Sequence, residues 1–347
     1  MTKKLIIALF IAASTFSCTS DDNCCAPPIT PAGDVWIVNE GNFNQGNASL
    51  VVYDKDLMVA DTTVFQSRNN RGLGDIFQSL IFHGNTAYLL INNSQRIEVI
   101  DATDFLSIKT ITKNIYSPRY GVVLDDKIYV SDLFKSYIYI IDTTTDEVMD
   151  SIFTGRPVEE LVVHENLIFA SGSDYYTAVE NVAVIDPVQE KVIENIPVGK
   201  NPNAMIKDAA GMIWVMCDGV FGDDNSQALY RINASALTVD KSMQFTSFTP
   251  QFPTRLTVNA SDRSKIYMNG PLGIYQIDMD DVALPAAPFI NSSSSAYAIG
   301  IDPDSGHFYI GDAAAFSGNG AVSIYSPANV LLHTFKAGIG PNSFHFR

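Results

Sequence analysis

Six of the nine arginines, Arg68, Arg71, Arg96, Arg119, Arg156 and Arg255, lie in loop-like stretches between apolar runs. Aromatic residues share those stretches: Phe43, Tyr116, Tyr120, Phe134, Tyr137, Tyr175, Tyr176, Phe221, Phe252, Tyr297 and Phe316. Guanidinium groups make charge-assisted hydrogen bonds to carboxylates and phosphates, and aromatic rings add wide, rigid apolar contact. Together, in a chain of formal charge −16, they suggest a bulky ligand with an anionic or phosphate-bearing group. Both residue types also have a purely structural use. Arginines brace carbonyls at strand ends, and rings plug gaps between packed sheets.

Histidine usage points away from catalysis. His83, His164 and His307 fall in short turns, His333 in an outer strand and His345 in the last strand, apart from the arginine-rich stretches. Neither a histidine metal site nor a nucleophile–histidine pair can be assembled from them. The expectation is therefore a non-enzyme without a cofactor. Asp223 and Asp224, with Asn225, carry the oxygen ligands that calcium prefers, though such a run is more often a solvated loop tip. The segment "GNFNQGN" has no helix behind it to make a phosphate site.

Composition narrows the partners. The 347 residues are 46% apolar, 17% charged and 11% aromatic, with 15 Tyr and 20 Phe, a balance that favours strands. So acidic a chain is a poor candidate for nucleic acid or anionic headgroups. Residues 1–17 read as a signal peptide, with Lys3 and Lys4 before the apolar run "LIIALFIAA" and the small-residue segment "STFSC". Removing their two lysines takes the formal charge to −18. Nine apolar residues are too few to span a bilayer, and no later stretch is longer. Residues 18–31, acidic and proline-bearing, read as a flexible tether. No pair among Cys18, Cys24, Cys25 and Cys217 has metal-site spacing, and Cys217 reads as a buried hydrophobe.

The elements that must carry the arginines repeat. An aromatic residue is second in "VWIVNEG", "AYLLINN", "IYVSDLF", "IFASGSD", "IWVMCDG", "IYMNGPL" and "FYIGDAA", at Trp36, Tyr88, Tyr129, Phe169, Trp214, Tyr267 and Tyr309. The spacings are 52, 41, 40, 45, 53 and 42 residues. Each anchor strand is followed by a second such as "IYIID", closed in six of seven by Asp or Asn, and most by a third, then a Gly/Pro-type turn. Four strands per 40–53 residues is the signature of an all-β, seven-bladed β-propeller with antiparallel blades. The first unit lacks its leading strand, and the chain ends on an unaccompanied strand, "SFHFR". The two defects cancel if the last strand sits innermost in the first blade, closing one domain over residues 32–347.

Intrablade loops after each anchor strand share one face with the crossovers between blades, and on that face the loops are long. The candidate ligand-binding residues there are Phe43, Tyr116, Arg119, Tyr120, Phe134, Arg156, Tyr175, Tyr176, Phe221, Phe252, Arg255 and Tyr297. A lactonase-like site would need Glu, Asn and Asp converging around a cation at the central tunnel, and the sequence displays no obvious ring of that kind.

Several segments carry family resemblances. "IYVSD…IYIIDTTTDEVMDSIFTGRPVEELVV" resembles the YVTN-type propeller repeat, also seen in surface-layer-like proteins. Cys18 at the cleavage boundary resembles the bacterial lipobox, which implies lipidation at Cys18, and the acidic residues after it resemble the surface-export signal of Bacteroidota lipoproteins. With the opening "WIVNEGNF", the whole resembles the outer-membrane propeller lipoproteins of Bacteroidota that capture cobalamin for a TonB-dependent transporter. That resemblance implies a cell-surface protein, anchored to the outer membrane by lipid, with cobalamin and such a transporter as partners. A glycan-binding or adhesive surface-layer-like module is the alternative, and a lactonase-like or quinoprotein-like enzyme the third reading.

Overall fold

The computed structural model describes residues 34–172, 179–220, 222–223, 226–245, 254–259, 264–292 and 296–347. Within them, 28 strands form seven antiparallel sheets of four, each a propeller blade. The innermost strands are Pro341–Phe346 in blade 1, then Phe77–His83, Pro118–Leu124, Leu161–His164, Pro202–Lys207, Leu256–Val258 and Ala296–Ile301 in blades 2 to 7. The ring closes as expected. Pro341–Phe346 pairs with Val35–Asn39, which pairs onward with Ser49–Asp54, so both chain ends meet in blade 1 and the first anchor strand gains its missing neighbour.

Each anchor strand lies second in its blade and is covered on both faces by adjacent blades. Such a strand must be apolar throughout rather than alternating, and Val35–Asn39 is buried at all five positions. Outer strands do alternate, as Ser107–Ile111 shows. The cores therefore lie between blades. Trp36, fully buried, packs against Phe82 and Phe105 of blade 2 at ring distances of 5.0 and 4.9 Å. Phe344 and Phe346 of the closing strand pack on Tyr309 of blade 7 at 5.8 and 5.2 Å.

One connection departs from the simple pattern. After the short strand Val59–Asp61 the chain forms a six-residue helix, Val64–Asn69. Asn69 donates to the Phe105 carbonyl at 2.8 Å and accepts from the Ser107 N–H at 2.8 Å, in the outer hairpin of blade 2. The crossover thus dips toward the hairpin face before climbing back. Arg68, on that helix, is therefore carried away from the loop face where the sequence reading put it. Arg71 ion-pairs with the buried Glu98 and lies 5.1 Å from the Phe65 ring. Arg71 thus serves the blade wall, while Arg68 is exposed on the helix.

Candidate ligand-binding mouth

At the loop end of the inner strands the ladder register slips. In blade 1, Val38 faces Ser343 but Asn39 faces Pro341, which leaves Asn342 bulged. Blade 2 skips Gln78 in the same way, and blade 7 skips Tyr297. Blade 3 sets Arg119 and Tyr120 opposite the single residue Ser131, and blade 5 slips between Pro202 and Met205, around Asn203. In blade 4 the Glu159 N–H donates to the Ser171 carbonyl while the Ser171 N–H donates to the Glu160 carbonyl. A β-bulge turns a side chain out of the pleat. Here the repeated bulge delivers polar side chains from successive blades to the propeller axis.

Neighbouring blades fix five of these six bulges. Asn342 Nδ2 donates to the Gln78 carbonyl at 2.7 Å, Ser79 Oγ to the Arg119 carbonyl at 2.6 Å, Ser131 Oγ to the Glu159 carbonyl at 2.6 Å and Ser171 Oγ to the Asn203 carbonyl at 2.7 Å. Asn269 Nδ2 does the same for the Ala296 carbonyl at 2.9 Å. A bulged carbonyl left unpaired in a closed ring would be costly, so these polar side chains hold the ring in one conformation.

The delivered side chains form one central hydrogen-bonded cluster with three smaller groups beside it. Arg119 Nε contacts both Glu159 oxygens at 3.0 Å, and its Nη1 donates to Gln78 Oε1. Gln78 Nε2 donates to the Tyr120 hydroxyl at 2.9 Å, which also accepts from Arg255 Nη1 at 3.0 Å. Arg255 Nη2 donates to Asn342 Oδ1. Tyr297 donates to Glu40 Oε2 at 2.9 Å, and Asp218 accepts from Asn203 at 2.8 Å and Thr254 at 2.8 Å. Glu160 accepts the Met205 N–H at 2.7 Å. All seven blades contribute.

Burial sets the protonation of this network. It raises Glu40, against the pull of Arg255 and the Tyr297 hydrogen bond. Burial likewise lifts Glu160 to about 7 and Asp218 to about 6. Arg119 is pulled down by burial but held above its ordinary value by the Glu159 charge, and Arg255 by Glu160 and Glu40 among others. Four carboxylates face two guanidinium groups. Burial pushes three of those carboxylates toward their neutral form.

The sequence candidates separate into four groups. Arg119, Tyr120, Arg255 and Tyr297 converge in the network. Phe43, Tyr116 and Phe134 stand exposed in the loops of the same face, Tyr116 edge-on to Phe134 at 6.4 Å with the Lys135 ammonium 4.5 Å from its ring. Arg156 is a brace: Nη2 donates to the Asn181 carbonyl at 2.9 Å and Oδ1 at 2.7 Å, and burial lowers it to about 10. Arg96 likewise donates to the Leu73 carbonyl at 2.6 Å. Tyr175, Tyr176, Phe221 and Phe252 lie outside the described residues, as do Asp224, Asn225 and Cys18. Cys217 is buried, as expected, and is a free thiol.

Sequence reading missed Glu40, Gln78, Glu159, Glu160, Asn203, Asp218 and Asn342. Sequence reading did not foresee that Glu, Asn and Asp side chains gather at the mouth. A signal for part of it existed. In "SPRY", "NPNAM" and "GPNSF" a proline opens the inner strand and the next residue, Arg119, Asn203 or Asn342, is the one delivered to the mouth. Among the described residues no three His, Cys, Asp or Glu side chains are grouped to hold a metal ion. A concavity lined by Lys265, Asp278, Asp280 and Asp281 lies at the hairpin end of blade 6, away from the mouth.

Fold and mouth together define a seven-bladed β-propeller with a polar, interlocked axial site. A family model described as a domain of unknown function (DUF5074) matches residues 33–329, and the chain belongs to that family. Solved structures share the fold at low identity. A quinonprotein alcohol dehydrogenase-like protein from Bacteroides thetaiotaomicron is 16% identical with a TM-score of 0.70, over 91% of this chain and 78% of that one. A putative 6-phosphogluconolactonase from Bacteroides fragilis is 11% identical with a TM-score of 0.66, over 92% and 99%. Hydrazine synthase of Kuenenia stuttgartiensis is 14% identical with a TM-score of 0.63, over 75% and 86%. No curated protein sequence matches the chain.

Proposed function

We propose that this protein is a non-enzymatic binding protein that captures a bulky ligand across the loop-face mouth, with cobalamin as the candidate. Lipidated at Cys18, it would sit on the outer membrane facing outward and pass its ligand to a TonB-dependent transporter. The observation that carries the reading is the axial site: hydrogen-bond donors and acceptors from every blade, beneath loops that expose Phe43, Tyr116 and Phe134. Such a floor suits a wide ligand with a neutral, hydrogen-bonding edge, and the amide-edged face of a corrin is one. The role assigned to the arginines shifts accordingly. Arg119, Arg156 and Arg255 each already have protein acceptors or Tyr120 as partners. Amide edges, rather than a phosphate, are therefore the groups we place against the mouth.

Titration calorimetry with cyanocobalamin tests this. Wild-type protein should bind tightly without added metal and without altering the ligand, and Arg255→Ala or Tyr120→Ala should weaken binding about ten- to a hundredfold. No heat at micromolar protein would rule cobalamin out and move the weight to a glycan. Cys18→Ala should release the protein from membranes, since acyl chains would be its one long apolar anchor.

A second reading has one observation in its favour. Glu160 at about 7 and Asp218 at about 6 are carboxylates poised for proton transfer near neutral pH. A lactonase-like activity abolished by Glu160→Gln would establish it.

A further inference from the structure

Three successive residues in the mouth loop of blade 7 have left-handed backbones: Ala314, Ala315 and Phe316, with φ of 47°, 51° and 57°. None is glycine or asparagine, the residues that visit this region readily. Left-handed turns of L-residues place each Cβ against the following carbonyl, and runs of them are avoided. Such a run persists only when its surroundings over-determine it. Here they do. The Ala314 N–H donates to Asp312 Oδ1 at 2.8 Å, Ser317 Oγ to the Ala314 carbonyl at 2.7 Å, and Asn42 Nδ2, from blade 1, to the Phe316 carbonyl at 2.9 Å.

What the turn achieves is the placement of one ring. Phe316 stands edge-on to Tyr297, with centroids 5.1 Å apart and planes at 89°. It fills the space beside Gly340, where φ is +63° and any Cβ would run into the ring. Both neighbours lead to Glu40: Tyr297 donates to its carboxylate at 2.9 Å, and its backbone N–H donates to the Gly340 carbonyl at 3.0 Å. Phe316 itself is only half-buried. A right-handed turn would send the ring elsewhere and leave Tyr297 free to rotate off Glu40.

We propose that Phe316, held by this left-handed turn, is a positioning residue of the mouth that fixes Tyr297 on Glu40 and offers its free edge to the ligand. The proposal rests on the mouth being the ligand site. Its function explains why a strained run is kept where a glycine would be easier.

Two measurements test it, cyanocobalamin calorimetry and urea unfolding, on Phe316→Ala, Phe316→Tyr, Tyr297→Phe and the double variant Phe316→Ala/Tyr297→Phe. Phe316→Ala should weaken binding about tenfold or more, and Phe316→Tyr should restore it to within about threefold of wild type. Tyr297→Phe should cost much less affinity when Phe316 is already gone, because the hydroxyl is then no longer held in place. Ala315→Gly should strengthen folding about tenfold in the equilibrium constant, confirming that the turn is strained. Wild-type affinity in Phe316→Ala, or penalties that multiply independently, would overturn the proposal. If the wild-type protein ignores cyanocobalamin, the reading of the ligand fails on its own. The unfolding cycle then still decides whether Phe316 positions Tyr297: non-additive losses support it and additive losses overturn it.

Discussion

The two ends of the propeller use the same residue types to opposite effect. At the hairpin end, Asp54, Asp101, Asp142, Asp186 and Asp302 each accept N–H groups two or three residues ahead, from their own turns. Asp101 is held below its ordinary value by hydrogen bonds from Thr103, Asp142 by the N–H groups of Thr145 and Thr144, and Asp186 by that of Gln189. At the mouth, Glu40, Glu160 and Asp218 are pushed up by burial. Their neighbours come from distant parts of the chain, such as Tyr297 for Glu40. One end spends its carboxylates on local turns. The other gathers them where water is scarce, and burial pushes them toward the neutral form.

The largest effect should come from undoing what brings the mouth together. Deleting residues 343–347 removes most of the strand that pairs with Val35–Asn39 and the Phe344 and Phe346 rings packed on Tyr309. Loss on the order of 5 kcal/mol or more is expected, read as failure to unfold cooperatively in urea. Unchanged unfolding would break the closure account.

Within the mouth, Glu159→Ala leaves Arg119 without its carboxylate in an enclosed site. Removing one partner of a buried pair costs about 3–5 kcal/mol. The outer-strand pair Arg231–Asp240, bonded at 2.8 and 3.1 Å, is the control. Asp240→Ala should cost at most about 1 kcal/mol. Equal losses would erase the contrast between floor and wall.

Glu160→Gln should separate the two ends by pH. Its folded-state pKa lies at about 7, above the ordinary 4.5, so the unfolded chain ionises first. The stability Glu160 allows is complete below about pH 4.5 and is lost as pH rises through 7. The Gln variant should match wild type near pH 4.5 and exceed it at pH 8 by on the order of 1–3 kcal/mol in urea unfolding. A variant parallel to wild type at every pH would mean that Glu160 ionises freely. Asp186→Asn, at an exposed hairpin, should give the smallest change, shifting the melting temperature by no more than about 2 °C.

The same contrast marks what the sequence could reveal. Blade count, anchor residues from Trp36 to Tyr309 and the fate of the last strand were legible, because each rests on a local apolar run and a local turn. The Val64–Asn69 helix was not: Thr63 and Gln66 stand at capping-box spacing, but the N-cap makes no side-chain hydrogen bond, and the short segment is held by docking on blade 2. Arg119, Tyr120, Arg255 and Tyr297 were found by residue type. Gln78, Glu159 and Asn342 were missed because their partners are 40 to 264 residues away and meet only when the ring closes. Arg156 shows the converse error. It has the type of a ligand contact, yet its Nη2 is bonded twice to Asn181 within the blade.

Hydrogen exchange of the amides with and without cyanocobalamin tests the central claim, that the loop-face mouth is where this propeller binds, most directly. Bound ligand should slow exchange in the segments around Gln78, Arg119, Glu160, Arg255, Tyr297 and Phe316, and leave the hairpin turns at Asp101, Asp142 and Asp186 unchanged. Protection confined to those hairpin turns, or none anywhere at saturating ligand, would contradict it.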